Sequence, residues 1–69
     1  MVEVFKTNVQ HNSHAASLLS ILSEQFPLFK INFDLEDCDR ILRVEGENVS
    51  PVQIIELLNS SGHQCEVLL

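Results

Sequence analysis

The chain of 69 residues has ten acidic and four basic side chains, a formal charge of −6, a hydrophobic content of 45%, two Gly and two Pro. This composition excludes a disordered chain, and the length predicts one small domain over residues 1–69. The scarcity of Lys and Arg argues against nucleic acid or an anionic membrane as a partner, because both need clustered positive charge. No apolar run reaches the roughly 18 residues of a membrane span and no secretory leader is visible, so we expect a soluble, cytoplasmic protein.

The first part of the chain predicts a strand and then a helix. Residues 2–9 suit a half-buried strand, and two sets of side chains compete for its inward face. Those sets are Val2 with Val4, and Phe5 with Thr7 and Val9. Asn12 and Ser13 are the candidate N-caps of the helix, which Pro27 ends. Its apolar positions at helical spacing are Ala15, Leu18, Leu19, Leu22 and Phe26.

The middle of the chain predicts a β-hairpin. Apolar and polar side chains alternate over residues 29–35, which indicates a strand with one wet face. Residues 41–45 predict its partner, with Leu42 and Val44 on one face. The turn between the two strands surrounds Cys38 with acidic side chains that lack the spacing of a calcium-binding loop, and we interpret it as a solvated turn. Glu36, Asp37 and Asp39 are the acidic residues of this turn, and Asp34 precedes it in the strand.

The last part of the chain predicts a second helix and a final strand. Ser50 is the expected N-cap, a proline follows at the first helical position, and Gln53 is a capping-box partner. The helix is expected over residues 51–60, and Gly62 suits a left-handed C-terminal cap. Residues 64–69 predict a last short strand.

The order strand, helix, strand, strand, helix, strand predicts an α+β fold of the ferredoxin-like βαββαβ kind. In it, a four-stranded antiparallel sheet carries both helices on one face. The loop after the first strand, the turn of the hairpin and the loop after the second helix then lie at one end of the sheet. We therefore expect His11, His14, His63 and Cys38 to share that end.

Over nearly its whole length the chain resembles the heavy-metal-associated domain, the fold of small copper chaperones and of the N-terminal domains of metal-transporting P-type ATPases. The resembling segments are KINFDLED, RILRVEGENVSPVQIIELLNSSGH and the loop before the first helix. In that loop the family has GMxCxxC, whereas this chain has NVQHNSH over residues 8–14. The two metal-binding cysteines of the family align with His11 and His14. His63 aligns with a position that lies close to the metal in the family.

The resemblance implies a small metal-binding protein of the carrier or chaperone-like kind. Two thiolates suit Cu(I), whereas neutral imidazoles suit divalent ions such as Zn²⁺, Cu²⁺, Ni²⁺ or Co²⁺. The expected cofactor is therefore a divalent transition metal, bound through a His-x-x-His loop by His11 and His14 with His63 as the third ligand.

A different class of function stays open beside the metal site. A degenerate domain that kept the fold and lost the metal would act as a protein-interaction or homodimerisation module. Val2, Val4 and Ile41 form a candidate contact patch on the outer face of the sheet.

The remaining chemistry-bearing residues predict no enzyme. No nucleophile has a placed base, and there is no Gly-rich phosphate loop. Cys65 is interpreted as a buried core thiol, with a metal ligand as the alternative. Cys38 is interpreted as an exposed turn residue, with a redox-labile thiol or a ligand that bridges a dimer as alternatives.

Overall fold

In the computed structural model, which describes residues 1–68, two helices and four strands follow one another in the predicted order. The elements are β1 (Val2–Thr7), α1 (Asn12–Gln25), β2 (Lys30–Asp34), β3 (Ile41–Glu45), α2 (Pro51–Ser60) and β4 (Cys65–Val67). The strands form one antiparallel sheet in the order β2-β3-β1-β4. The predicted α+β class, with two helices and a four-stranded antiparallel sheet, is confirmed.

The helices and strands keep close to their predicted bounds. Helix α2 and strand β3 match them to the residue, and α1 stops two residues before Pro27. Strand β4 is shorter than the predicted 64–69, and Leu69 lies outside the described residues. Within residues 1–68, neither helix is long and apolar enough to cross a lipid bilayer.

One face of the sheet carries the hydrophobic core. Phe5 pairs with Leu42 on one side and with Val67 on the other, so the three side chains point to the same face. Phe5 is fully buried and Val2 is half exposed. Of the two sets of β1 side chains predicted for the inward face, the set with Phe5 therefore faces the core. Residues of this face and of both helices form one buried cluster: Phe5, Val9, Ala15, Leu18, Leu22, Leu42, Val44, Val49, Ile54 and Leu58.

The outer face of the sheet differs from the predicted apolar patch. Ile41 is only 5% exposed, and Val4 is partly buried, so Val2 is the one exposed member of the three. Ile41 lies in an inner strand between Lys6 of β1 and Asp34 of β2, and neighbours on both sides keep solvent from it. The expected contact patch is therefore not continuous.

The start of α1 corrects a predicted cap. The N-cap is His11, whose carbonyl accepts the N–H groups of His14 and Ala15 at 3.1 Å each, and neither Asn12 nor Ser13 has that role. The N–H of Ala15 closes the first turn on the His11 carbonyl, and Ala15 is buried, so this turn packs against the core. As a result, both residues of the His-x-x-His loop belong to the first turn of the helix.

The start of α2 lies where it was predicted, but without the predicted side-chain bonds. Ser50 is the N-cap by its extended backbone, and its carbonyl accepts the N–H of Ile54 at 3.3 Å. Its hydroxyl makes no cap hydrogen bond, so the capping box with Gln53 is wrong. The proline at the first position already holds a helical φ and has no N–H to satisfy, which explains a helix start without a side-chain cap.

Candidate metal centre

The end of β1 is tied to the turn between β2 and β3. The N–H of Thr7 donates to the carbonyl of Asp39 at 3.1 Å, and its hydroxyl donates to the carbonyl of Arg40 at 2.6 Å. The same hydroxyl accepts the N–H of Val9 at 3.2 Å, which shapes the start of the loop that leads to α1. The β1–α1 loop and the β2–β3 turn thus meet at one end of the sheet, as the predicted element order requires.

The β1–α1 loop is also tied to the loop between α2 and β4. The side-chain oxygen of Asn8 accepts the N–H of Gln64 at 2.8 Å, and the N–H of Asn8 donates to the carbonyl of Gln64 at 3.3 Å. These residues are 56 positions apart in the chain, and no local pattern pairs them. Asn8 therefore joins the two loops through a contact that the sequence did not reveal.

A glycine turn at the end of α2 positions His63. Gly62 has a φ of +87°, in the left-handed region that was predicted for it. The N–H of Gly62 donates to the carbonyl of Asn59 at 3.0 Å, and that of His63 donates to the carbonyl of Leu58 at 2.9 Å. This pair of bonds is the Schellman motif, which ends the helix and directs the next residue across its axis.

Three imidazole rings come together where these loops meet. The ring centres of His11 and His14 are 5.2 Å apart and nearly perpendicular, and those of His14 and His63 are 5.7 Å apart with planes at 56°. His11 and His14 are neighbours because an N-cap residue and the third helical residue face each other at a helix start. The structure thus brings together all three predicted site residues, with His14 in the middle.

The ring spacing is compatible with shared coordination of one ion. Two imidazoles bound to one tetrahedral Zn²⁺ at about 2.0–2.1 Å per nitrogen would have ring centres roughly 5 Å apart. None of the side-chain hydrogen bonds within residues 1–68 uses an imidazole, so protein groups do not occupy these nitrogens. His11 and His14 are exposed and His63 is partly buried, which leaves the rings open to an approaching ion.

The three histidines do not place their ligand atoms within 4.8 Å of one another, so a three-ligand site requires side-chain rotation. Within residues 1–68, Asp37, Cys38 and Asp39 are the one group that brings three ligand atoms within 4.8 Å of one another. The closeness of that group follows from the turn itself, since the N–H of Asp39 donates to the carboxylate of Asp37 at 2.9 Å. The three histidines would reach such closeness only by rotation about their side-chain bonds, and His63 is partly buried.

The charge around the rings has opposing effects on a bound cation. No acidic residue lies in the first turn of α1, so the positive end of the helix dipole opposes a dication there by about 0.3–1 kcal/mol. The net charge of −6 favours the approach of cations to the molecule as a whole. The local penalty is small against the free energy of binding two or three nitrogen ligands to a transition metal.

The two cysteines have different environments. Cys38 is exposed, as predicted. Cys65 is partly buried and packs against the core. Burial, with a smaller effect from Glu66, raises the pKa of Cys65 to about 12. A thiol ligates metal as its thiolate, so this environment favours the interpretation of Cys65 as a core residue.

The raised pKa of Cys65 predicts a loss of stability in alkali. The folded chain keeps a proton that the unfolded chain releases, so this contribution is full at neutral pH and falls between pH 9.0 and about 12. The slope is below about 1.4 kcal/mol per pH unit, because the side chain is partly solvated. We expect urea unfolding of Cys65→Ala to depend less on pH over this range than that of the Cys38→Ala control. Equal slopes for the two variants would contradict the prediction.

Comparison of the chain with protein-family models, with curated proteins and with solved structures gives no match in any of the three. The geometry of the three imidazoles is therefore the structural observation that bears on function.

Proposed function

We propose that the protein is a small metal-binding domain of the carrier or chaperone-like kind. It holds a divalent transition ion through His11 and His14, with His63 as the third ligand. The observation that supports this proposal is the central position of His14. Its ring centre is 5.2 Å from that of His11 and 5.7 Å from that of His63. The chain has three histidines in 69 residues, and all three, from two separate loops, lie at the same place.

The donor set determines the class of ion. Neutral imidazoles favour Zn²⁺, Cu²⁺, Ni²⁺ or Co²⁺, whereas Cu(I) prefers the thiolates that this loop lacks. Three protein nitrogens leave at least one coordination position for water. Because His11 and His14 are exposed, a ligand from a partner can enter at that position and take the ion by exchange.

The arrangement of the sheet supports the proposed family likeness. The strand order β2-β3-β1-β4, with a helix after β1 and another after β3, is compatible with the ferredoxin-like βαββαβ fold of heavy-metal-associated domains. In this interpretation His11 and His14 occupy the positions of the two family cysteines. The domain keeps the metal-loop end of that fold and uses it for a harder ion.

Isothermal titration with Zn²⁺ and with Cu²⁺ at about pH 7.5 tests the proposal. We expect a Kd of about 1 μM or tighter for the wild-type protein, and loss of binding in His11→Ala/His14→Ala. The control is Asp37→Asn/Asp39→Asn, which removes the competing carboxylates in the β2–β3 turn and should bind like the wild type.

Two outcomes would refute the metal site. One is wild-type binding no tighter than about 1 mM. The other is binding that survives the double histidine substitution and disappears in the carboxylate variant, which would move the ion to the β2–β3 turn.

A metal-free interaction module is the second candidate, and one surface favours it. At the end of the sheet opposite the histidines, Met1 is 68% and Leu28 is 92% exposed, and both line a groove with Phe29. A titration without metal binding, together with self-association that Leu28→Ser abolishes in sedimentation, would favour this candidate over the carrier.

A further inference from the structure

The link between Asn8 and Gln64 joins the two loops that carry the imidazoles. We infer that Asn8 is a positioning residue for the metal centre, because it joins the loop of His63 to the segment between β1 and α1 that leads to His11 and His14. This inference rests on the proposed function, and it adds a residue that contributes no ligand atom. Asn8 acts through the backbone of Gln64, which directly follows His63 in the chain.

The link continues the pairing of β1 with β4 beyond its last regular pair, Thr7 with Cys65. The N–H of Asn8 donates to the carbonyl of Gln64 at 3.3 Å, as in a regular ladder. The return bond, from the N–H of Gln64 at 2.8 Å, ends on the side-chain oxygen of Asn8. The side chain thus supplies the acceptor at the point where β1 leaves the sheet for the helix.

The backbone of His63 is held on both sides. Its own N–H donates to the carbonyl of Leu58 at 2.9 Å, and the N–H of the next residue donates to Asn8 at 2.8 Å. Asn8 lies three residues before His11, so its side chain links the segment that leads into α1 to the loop of the third ligand. Without that acceptor, the Gln64 N–H turns to water, and only the backbone bonds from the N–H of Asn8 at 3.3 Å and from the N–H of His63 hold this loop. We therefore expect His63 to be less firmly held relative to His14.

Two variants of Asn8 separate positioning from folding. Asn8→Ala removes the acceptor, whereas Asn8→Asp keeps an oxygen at the same place. With Cu²⁺ as the probe, affinity in Asn8→Ala should fall about 10-fold or more, as for residues that orient metal ligands. Pulsed EPR should count one imidazole fewer on the ion, and Asn8→Asp should restore the wild-type count. Asn8→Ser, whose hydroxyl is too short to reach, replaces Asn8→Ala if that variant does not fold.

A His63→Ala background provides the matched control. In that background Asn8→Ala should change the affinity for Cu²⁺ by less than about 2-fold, because the ligand that Asn8 positions is already absent. The effect of the added charge in Asn8→Asp is measured in the same background.

Three results would overturn the inference, and they differ from one another. Asn8→Ala with wild-type affinity and imidazole count would reject the role of Asn8 and leave the metal site intact. An equal loss of affinity with and without His63 would show that Asn8 does not act through that ligand. Wild-type protein that binds neither Cu²⁺ nor Zn²⁺ would reject the proposed function itself, and the inference with it.

Discussion

Replacing His14 with alanine should weaken the binding of Zn²⁺ or Cu²⁺ more than replacing either of the other two histidines. Its ring is the one that neighbours both others, at 5.2 Å from His11 and 5.7 Å from His63. Loss of His11 or His63 leaves an adjacent pair of imidazoles, whereas loss of His14 leaves two rings on separate loops. We expect a loss of roughly 100-fold or more for His14→Ala, since even residues that only orient a ligand cost 10- to 100-fold.

Titration of the three single variants measures this ranking, with Ser13→Ala as the control in the same helical turn. Ser13 is exposed, so its substitution tests whether the helix start alone accounts for a change in affinity. In the wild type, affinity should also fall as the pH is lowered, because protons compete with the ion for imidazole nitrogen. Equal losses for His11→Ala, His14→Ala and His63→Ala would contradict the central role of His14.

Replacing Phe5 with alanine should leave the chain largely unfolded. Phe5 is fully buried in an inner strand, between Leu42 of β3 and Val67 of β4. Removing a buried Phe side chain costs about 3–5 kcal/mol, because the contacts are lost and the cavity does not close. A single hydrophobic core in a domain of this size gives a free energy of unfolding of only about 3–5 kcal/mol, so the substitution removes most of this stability.

Urea unfolding followed by circular dichroism tests this expectation, with Leu28→Ala as the control. Leu28 is 92% exposed, and its truncation should change the free energy of unfolding by less than about 0.5 kcal/mol. A Phe5→Ala variant that unfolds cooperatively near the wild-type midpoint would refute the assignment of Phe5 to the centre of the core. The same measurement on the histidine variants separates a lost ligand from a lost fold.

Local sequence patterns predicted the helices and strands, and their order predicted which loops share one end of the sheet. Alternation predicted the strand that contains Phe33, helical spacing and a proline predicted α2 to the residue, and Gly62 predicted the turn that ends it. Each of these signals lies within a few residues of the feature that it specifies. The order of the elements predicted that the loops of His14 and His63 lie at the same end of the sheet.

Contacts between residues far apart in the chain determine which side chains are buried and how the two loops are joined. Phe5 and not Val2 faces the core because the register of β1 puts Phe5 on one face with Leu42 and Val67. Ile41 is buried because its strand has neighbours on both sides. The bond between Asn8 and Gln64 joins residues 56 positions apart, which no periodicity can indicate. Residue types and order therefore predict which imidazoles can meet. Their spacing depends on backbone groups that come together only when the sheet and both loops are assembled.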